Sequence, residues 1–272
     1  MPDEPTPSTW RWEEQSAPEL SALAARDPVA VLPLGAIEQH GPHLPVSTDL
    51  VIARGLASRA LEAVPDDVPV VLLPELSSGA SLEHDRFAGT LSLAADTLAE
   101  ILLQQGAALA RQGFRRLVLF NTHGGNAHVV DDVGLRLRTE HGLLVVKAHS
   151  FRFPRPTSTE LPDEEWVHGL HGGAVETSML LHLRPDLVRA EHIARFSTLG
   201  EELASTLRWV SPEGVAPFSW LAGDLNPHGV TGDARLATEA IGAELVEHYA
   251  AVLATIVRET WAFPVDRLED AP

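Results

Sequence analysis

The sequence predicts an α/β fold in which a mostly parallel sheet is covered by helices on both faces. Apolar, β-branched runs alternate with stretches of helical spacing, and the connections between them are short. With 272 residues the chain is long enough to bury the full core of one such domain.

The elements follow in order. Val29–Leu34 (VAVLPL) reads as a buried strand ended by Gly35. Residues 50–64 carry helical spacing, with Asp49 as the expected N-cap. Val68–Leu73 is a second strand, closed by Pro74. The amphipathic stretch 97–112 ends at Gly113, a suitable C′ glycine. Leu117–Asn121 is a third strand, 127–141 a helix and Leu143–Ala148 a fourth strand. Residues 174–183 are helical until Arg184-Pro185, and 235–260 form a long closing helix. The stretches 151–170 and 205–232 read as long loops of the kind that often serve as lids or oligomer contacts. A single domain is expected over 10–264, with a frayed Pro-rich tail over 1–9 and a C-terminal tail over 265–272.

Composition narrows the function. The net charge is −18 and Lys147 is the only lysine, so the chain lacks the Lys/Arg clusters that bind nucleic acid. Hydrophobic residues make up 44% and mean hydropathy is +0.01, which reads as a globular protein with no membrane partner. No apolar run is read as a membrane span, and the first residues lack the charged and apolar regions of a secretory signal. A cytoplasmic location is expected. Without cysteine, any metal must be held by nitrogen and oxygen.

Such ligands are present. Glu38, His40 and Asp49 share the segment EQHGPHLPVSTD, and His123 lies in NTHGGN; each segment follows a strand. In extended backbone Glu38 and His40 fall on one face. Two carboxylates and two imidazoles exceed the three protein ligands of a single catalytic zinc. The surplus points to two divalent ions about 3.5–4 Å apart, with Asp49 the choice of bridge. Ligands in open parallel sheets bind outside the carboxyl ends of strands, which is where Glu38, His40 and His123 fall. Gly124 and Gly125 let backbone approach a ligand. His171 precedes the helix 174–183 and Glu176 lies in its first turn, either as a ligand or as a carboxylate favoured by the helix dipole. His84, with Glu83 beside it, is a candidate substrate contact.

With these segments in place, the chain resembles the creatininase (creatinine amidohydrolase) family. The matching residues are LPLGAIEQHGPHLPVSTD at 32–49, FAGTLSL at 87–93, LVLFNTHGGN at 117–126 and HGGAVETSMLLHLRPDLV at 171–188. The resemblance implies a three-layer α/β/α sandwich, a dinuclear Zn²⁺ or Mn²⁺ centre (Fe²⁺ an alternative), hydrolysis of non-peptide C–N bonds and a hexamer. It further implies that Glu38 and His123 hold one metal, His40 the other, Asp49 both, and that His171 shuttles protons. Creatininase carries a ligating glutamate two residues after the histidine matching His123. Here that position is Gly125, and Glu176 is the candidate to fill the vacancy. The tryptophans that flank creatinine lack clear counterparts, Trp166 being offset. A metal-activated hydroxide attacking a small amide, formamide or cyclic amide other than creatinine is therefore expected. Alternatives are a family peptidase of the mycofactocin-precursor type, a dinuclear phosphoesterase and a non-catalytic metal-binding scaffold.

Overall fold

Every residue of the first apolar run is buried, because that strand lies at the middle of a sheet covered on both sides. The computed structural model describes residues 10–268, so the expected N-terminal tail lies outside the described residues. Four strands, β1 (Val29–Leu34), β2 (Val70–Leu72), β3 (Arg116–Asn121) and β4 (Leu144–His149), pair in parallel in the order β2-β1-β3-β4. The helices are α1 (Ala17–Ala24), α2 (Thr48–Glu62), α3 (Ala95–Arg111), α4 (Ala127–His141), α5 (Asp163–His168), α6 (Ala174–Leu183), α7 (Leu199–Ala204), α8 (Ala222–Leu225) and α9 (Glu239–Ala262).

Successive side chains of a strand point to opposite faces, and here both faces are apolar. Val29, Val31, Val118 and Phe120 pack with α2, α6 and α9. Ala30, Leu32, Leu34, Leu117 and Leu119 pack with α3 and α4. A fully buried Val, Leu or Phe contributes roughly 1.5–3 kcal/mol, so each strand stabilises two layers at once. The result is a three-layer α/β/α sandwich.

The layers also create the crevice. The chain leaves β1 for α2 on one face and leaves β3 for α4 on the other. Adjacent strands whose exits diverge form a topological switch point, and the loops 35–47 and 122–126 line it.

Several expectations change. Asp49 is not an N-cap: α2 starts at Thr48 with Ser47 before it, which frees the Asp49 carboxylate for the crevice. α1 was not expected, although Ser16 and Glu19 form a capping box in which the Ser16 N–H donates to Glu19 (2.7 Å). The two loop stretches contain α5 and α8. α9 begins at Glu239, because Ala234–Leu236 is a 3-10 turn and the Thr238 hydroxyl accepts from Ile241 N–H (3.1 Å). Within the expected C-terminal tail, Val265–Arg267 forms a 3-10 turn with Val265 buried, and residues 269–272 lie outside the described residues. α9 is long and apolar enough to cross a membrane by length and composition alone. Its residues Leu245, Val246, Tyr249 and Leu253 instead pack in the core.

Candidate metal centre

The crevice gathers residues from five segments. The loop after β1 brings Glu38, Gln39 and His40, and the first turn of α2 brings Asp49. The turn after β3 brings His123. The segment Leu82–His84 brings Glu83 and His84, and the arm into α6 brings His171 and Glu176. Glu38 is fully buried, and His40, Asp49, His84 and His123 are nearly so. The Glu83 and Glu176 side chains, each 21% exposed, form the open side with Gly124.

Side-chain amides build the His123 turn. Asn121 donates to the His123 carbonyl (2.7 Å) and its oxygen accepts from His123 N–H (3.2 Å). Asn126 donates to the Gly35 carbonyl (3.1 Å) and accepts from Ala80 N–H (2.9 Å). The Thr122 hydroxyl donates to the Asp49 carbonyl (3.0 Å), tying the turn to α2. A parallel sheet ends in free backbone groups, and these bonds satisfy them inside the protein.

The histidines are aimed by the same logic. His123 Nε2 lies 2.9 Å from the Ala80 carbonyl oxygen, so it donates there and Nδ1 faces Glu38 (3.2 Å) and Asp49 Oδ2 (3.5 Å). His40 Nδ1 lies 3.1 Å from the Glu38 carbonyl oxygen, and its Nε2 faces Asp49 Oδ1 (3.6 Å) and Glu176 (3.8 Å). Asp49 therefore turns one oxygen to each histidine. His84 Nδ1 sits 2.8 Å from the Gln39 amide nitrogen, leaving Nε2 toward Glu38 (3.5 Å). His171 Nε2 donates to the Gln39 carbonyl (2.7 Å), and its ring stands between those of His40 and His84 at 4.0 and 4.2 Å.

These groups suit a cation. Both Glu38 oxygens, Asp49 Oδ2 and His40 Nε2 are buried without a hydrogen-bond partner among the described residues. A buried carboxylate without compensation is costly, and coordination to a metal relieves that cost. Among the described residues, three clusters have ligand spacing: His40–Asp49–Glu176, Glu38–Glu83–His123 and Glu38–His40–His171. The donors are oxygen and imidazole nitrogen, as zinc and manganese accept.

Electrostatics express the same crowding. Burial pushes the Glu38 carboxyl up, but His123, His171 and His84 outweigh it and hold it well below the usual carboxylate range. Burial disfavours a charged His40 and His123, yet Asp49 and Glu176 raise His40 to about 9, and Glu38 and Asp49 raise His123 to about 10. Burial and the Glu38 charge raise Asp49. Burial lowers His84 to about 4 and, with His40 and His84 adding positive charge, takes His171 well below its ordinary value.

The creatininase sequence model, described as creatinine amidohydrolase, matches residues 13–257. The chain belongs to the creatininase family. The mycofactocin precursor peptide peptidase of Mycobacterium tuberculosis is 36% identical over 246 residues, covering 88% of this chain and 86% of that protein. Among solved structures, a creatininase described as the Mn form aligns with TM-score 0.76 and 28% identity, covering 94% of this chain and 99% of its own. A creatininase variant of Zn–Zn type aligns with TM-score 0.71 at 28% identity, with the same coverage.

Gly125 has no room for a side chain. A Cβ there would lie 2.5 Å from both Glu83 Oε1 and His123 Nε2. The space is taken by a carboxylate from another segment, 3.6 Å behind the His123 ring. The sequence alone places Glu83 near the crevice but not in this position. It also passes over Gln39, which touches His84, His171 and the Gly229 carbonyl. Its position between Glu38 and His40 was the available signal. His84 lies on the buried wall rather than at the mouth, whereas Gly124 is open.

Proposed function

We propose that this creatininase-family hydrolase is a two-metal amidohydrolase whose substrate is a peptide amide. Glu38 and His123 would hold one ion, His40 and Glu176 the other, and Asp49 would serve both. Asp49 carries the reading: a buried carboxylate with each oxygen facing a histidine of a different segment is the arrangement a shared ligand requires. Zinc or manganese held there would lower the pKa of water toward about 7 and polarise a carbonyl.

The chain supplies proton transfer. His171 donates through Nε2 to Gln39, so Nδ1 is its free base, 3.7 Å from Glu38. Burial pushes this histidine well below its ordinary value of about 6.5, which favours the neutral form. With metal bound, Nδ1 would accept a proton from the attacking water and pass it to the departing amide nitrogen as the C–N bond breaks.

The peptide assignment is supported by the peptidase relative, which matches across 88% of the chain. Trp166, the offset candidate for an aromatic wall, packs against the core beside Arg155, which leaves a flat ring without that stacking partner. A small cyclic amide or formamide is the second reading, favoured by the likeness to solved creatininases. Zn²⁺- and Mn²⁺-loaded protein should be offered short peptides, creatinine, formamides and a chromogenic phosphate ester, with products followed by mass spectrometry. The highest kcat/KM is expected for a peptide. Creatinine turnover matching the best peptide would replace the substrate class and leave the metal centre standing.

Metal uptake should release protons. His40 at about 9 and His123 at about 10 are charged at pH 7 in the metal-free protein, while a metal binds neutral imidazole. Each histidine should give up one proton, read by calorimetry in buffers of differing ionisation enthalpy. Affinity should rise with pH up to about 9–10. Because both values lie above the unfolded one, their contribution to metal-free stability is complete below about 6.5 and fades through 9–10. Uptake without proton release would rule out the histidine assignment.

A further inference from the structure

Behind the arm that carries His171 and Glu176 lies a second buried carboxylate, on α5. Glu165 is 5% exposed, and its two oxygens serve two different segments. Oε1 accepts from Ala174 N–H (2.6 Å), the first residue of α6, and Oε2 accepts from Asp233 N–H (2.7 Å). Three glycines make room for it. A Cβ at Gly173 would lie 2.5 Å from Oε1 and one at Gly232 2.6 Å from it, and a Cβ at Gly169 would also meet it.

The clamped segments lead directly to the site. Thr231 N–H donates to the His171 carbonyl (2.8 Å), and Leu170 N–H donates to the Thr231 hydroxyl (3.1 Å). Between His171 and the clamped Ala174, Gly172 takes φ +67°, a left-handed turn that suits glycine. That turn aims Gly172 N–H at Glu176 Oε2 (2.6 Å), and the same oxygen faces His40 Nε2. A continuous path of bonds thus runs from Glu165 through the 172–174 turn to Glu176.

We propose that Glu165 is a positioning residue for the metal centre, its buried carboxylate locking the His171–Glu176 arm onto residues 231–233. The inference rests on the reading of Glu176 as a ligand. Glutamine at 165 has nearly the same shape but offers one acceptor where the two N–H groups need two, and its amide hydrogens then oppose one of them. The displaced turn moves Glu176 while leaving Glu38 and His123, which stand on other elements.

Competition of full-length protein with a chromophoric chelator, titrating Zn²⁺, tests this. Wild type should show two binding steps. In Glu165→Gln the step assigned to His40 and Glu176 should weaken about 10–100-fold, the usual cost of losing an outer support, while the other step keeps its affinity. Gly173→Ala, whose methyl crowds the carboxylate without removing it, should shift the same step and serves if the first variant does not fold. A lower metal-free Tm with both steps unchanged would make Glu165 only a fold-stabilising residue and overturn the inference. Wild type that takes up no metal would overturn the metal reading on which the inference rests.

Discussion

Asp49→Ala is expected to lose both metal equivalents, the largest change in metal content of any single substitution at the crevice. Its Oδ1 faces His40 at 3.6 Å and its Oδ2 faces His123 at 3.5 Å. Removing the side chain takes one donor from each ion. On the proposed assignment, the ion beside His40 would then keep His40 and Glu176, and the ion beside His123 would keep His123 and Glu38. Both fall below the three protein ligands usual for a catalytic zinc. The fold should survive, because burial and Glu38 already raise the Asp49 carboxyl and disfavour its charge in the metal-free protein. Asp49→Asn keeps the shape and should show the same loss if charge is what matters. Elemental analysis after desalting, with circular dichroism to confirm folding, measures the effect. Two equivalents retained in either folded variant would remove Asp49 from the shared position.

His171→Asn should keep its metal and lose kcat by about 10²–10⁴, the scale of general acid–base catalysis. The distinction matters because Glu38, His40 and His171 also have ligand spacing. His171 Nε2 is engaged by Gln39, and its Nδ1 is 3.7 Å from Glu38, so a proton at Nδ1 has an acceptor site beside the reacting groups. Its pKa is lowered by burial, so the free base persists on the acid side of neutrality. The acid limb of the kcat/KM profile should accordingly fall below pH 6.5, and that limb should vanish in His171→Asn. Loss of metal in the variant would make His171 a ligand instead.

Much of the scaffold was legible because its signals are local. VAVLPL lacks polar alternation since β1 has a helical layer on each side, and such a run is recognisable in one dimension. Ala127–His141 and Ala174–Leu183 have the bounds expected of them. α1 was missed even though Ser16-x-x-Glu19 is a local capping signal. The short α5 and α8 gave little periodicity to read, because one or two turns hold too few residues to establish a face.

The residues gathered at the crevice were legible for a different reason. Glu38, His40 and Asp49 share one segment and His123 sits in a compact turn, so residue type and spacing suffice to suggest metal chemistry. Spacing could not say which nitrogen of each histidine faces inward. That depends on the Ala80 and Glu38 carbonyls, which accept from the other nitrogen. Nor could it predict the pKa values, since the drop at His171 arises from burial among rings contributed by other segments.

The alternation of strands and helices, the absence of thiolate ligands and the carboxylate–imidazole chemistry all follow from the chain read in order. They depend on composition and short-range periodicity. The placement of Glu83 beside Gly125, the approach of Glu176 to His40 and the clamp formed by Glu165 depend instead on packing between residues distant in the chain. Side chains from separate loops meet only after α2 and α4 pack on opposite faces and open the crevice between β1 and β3. Close packing then selects which carboxylate fills each space.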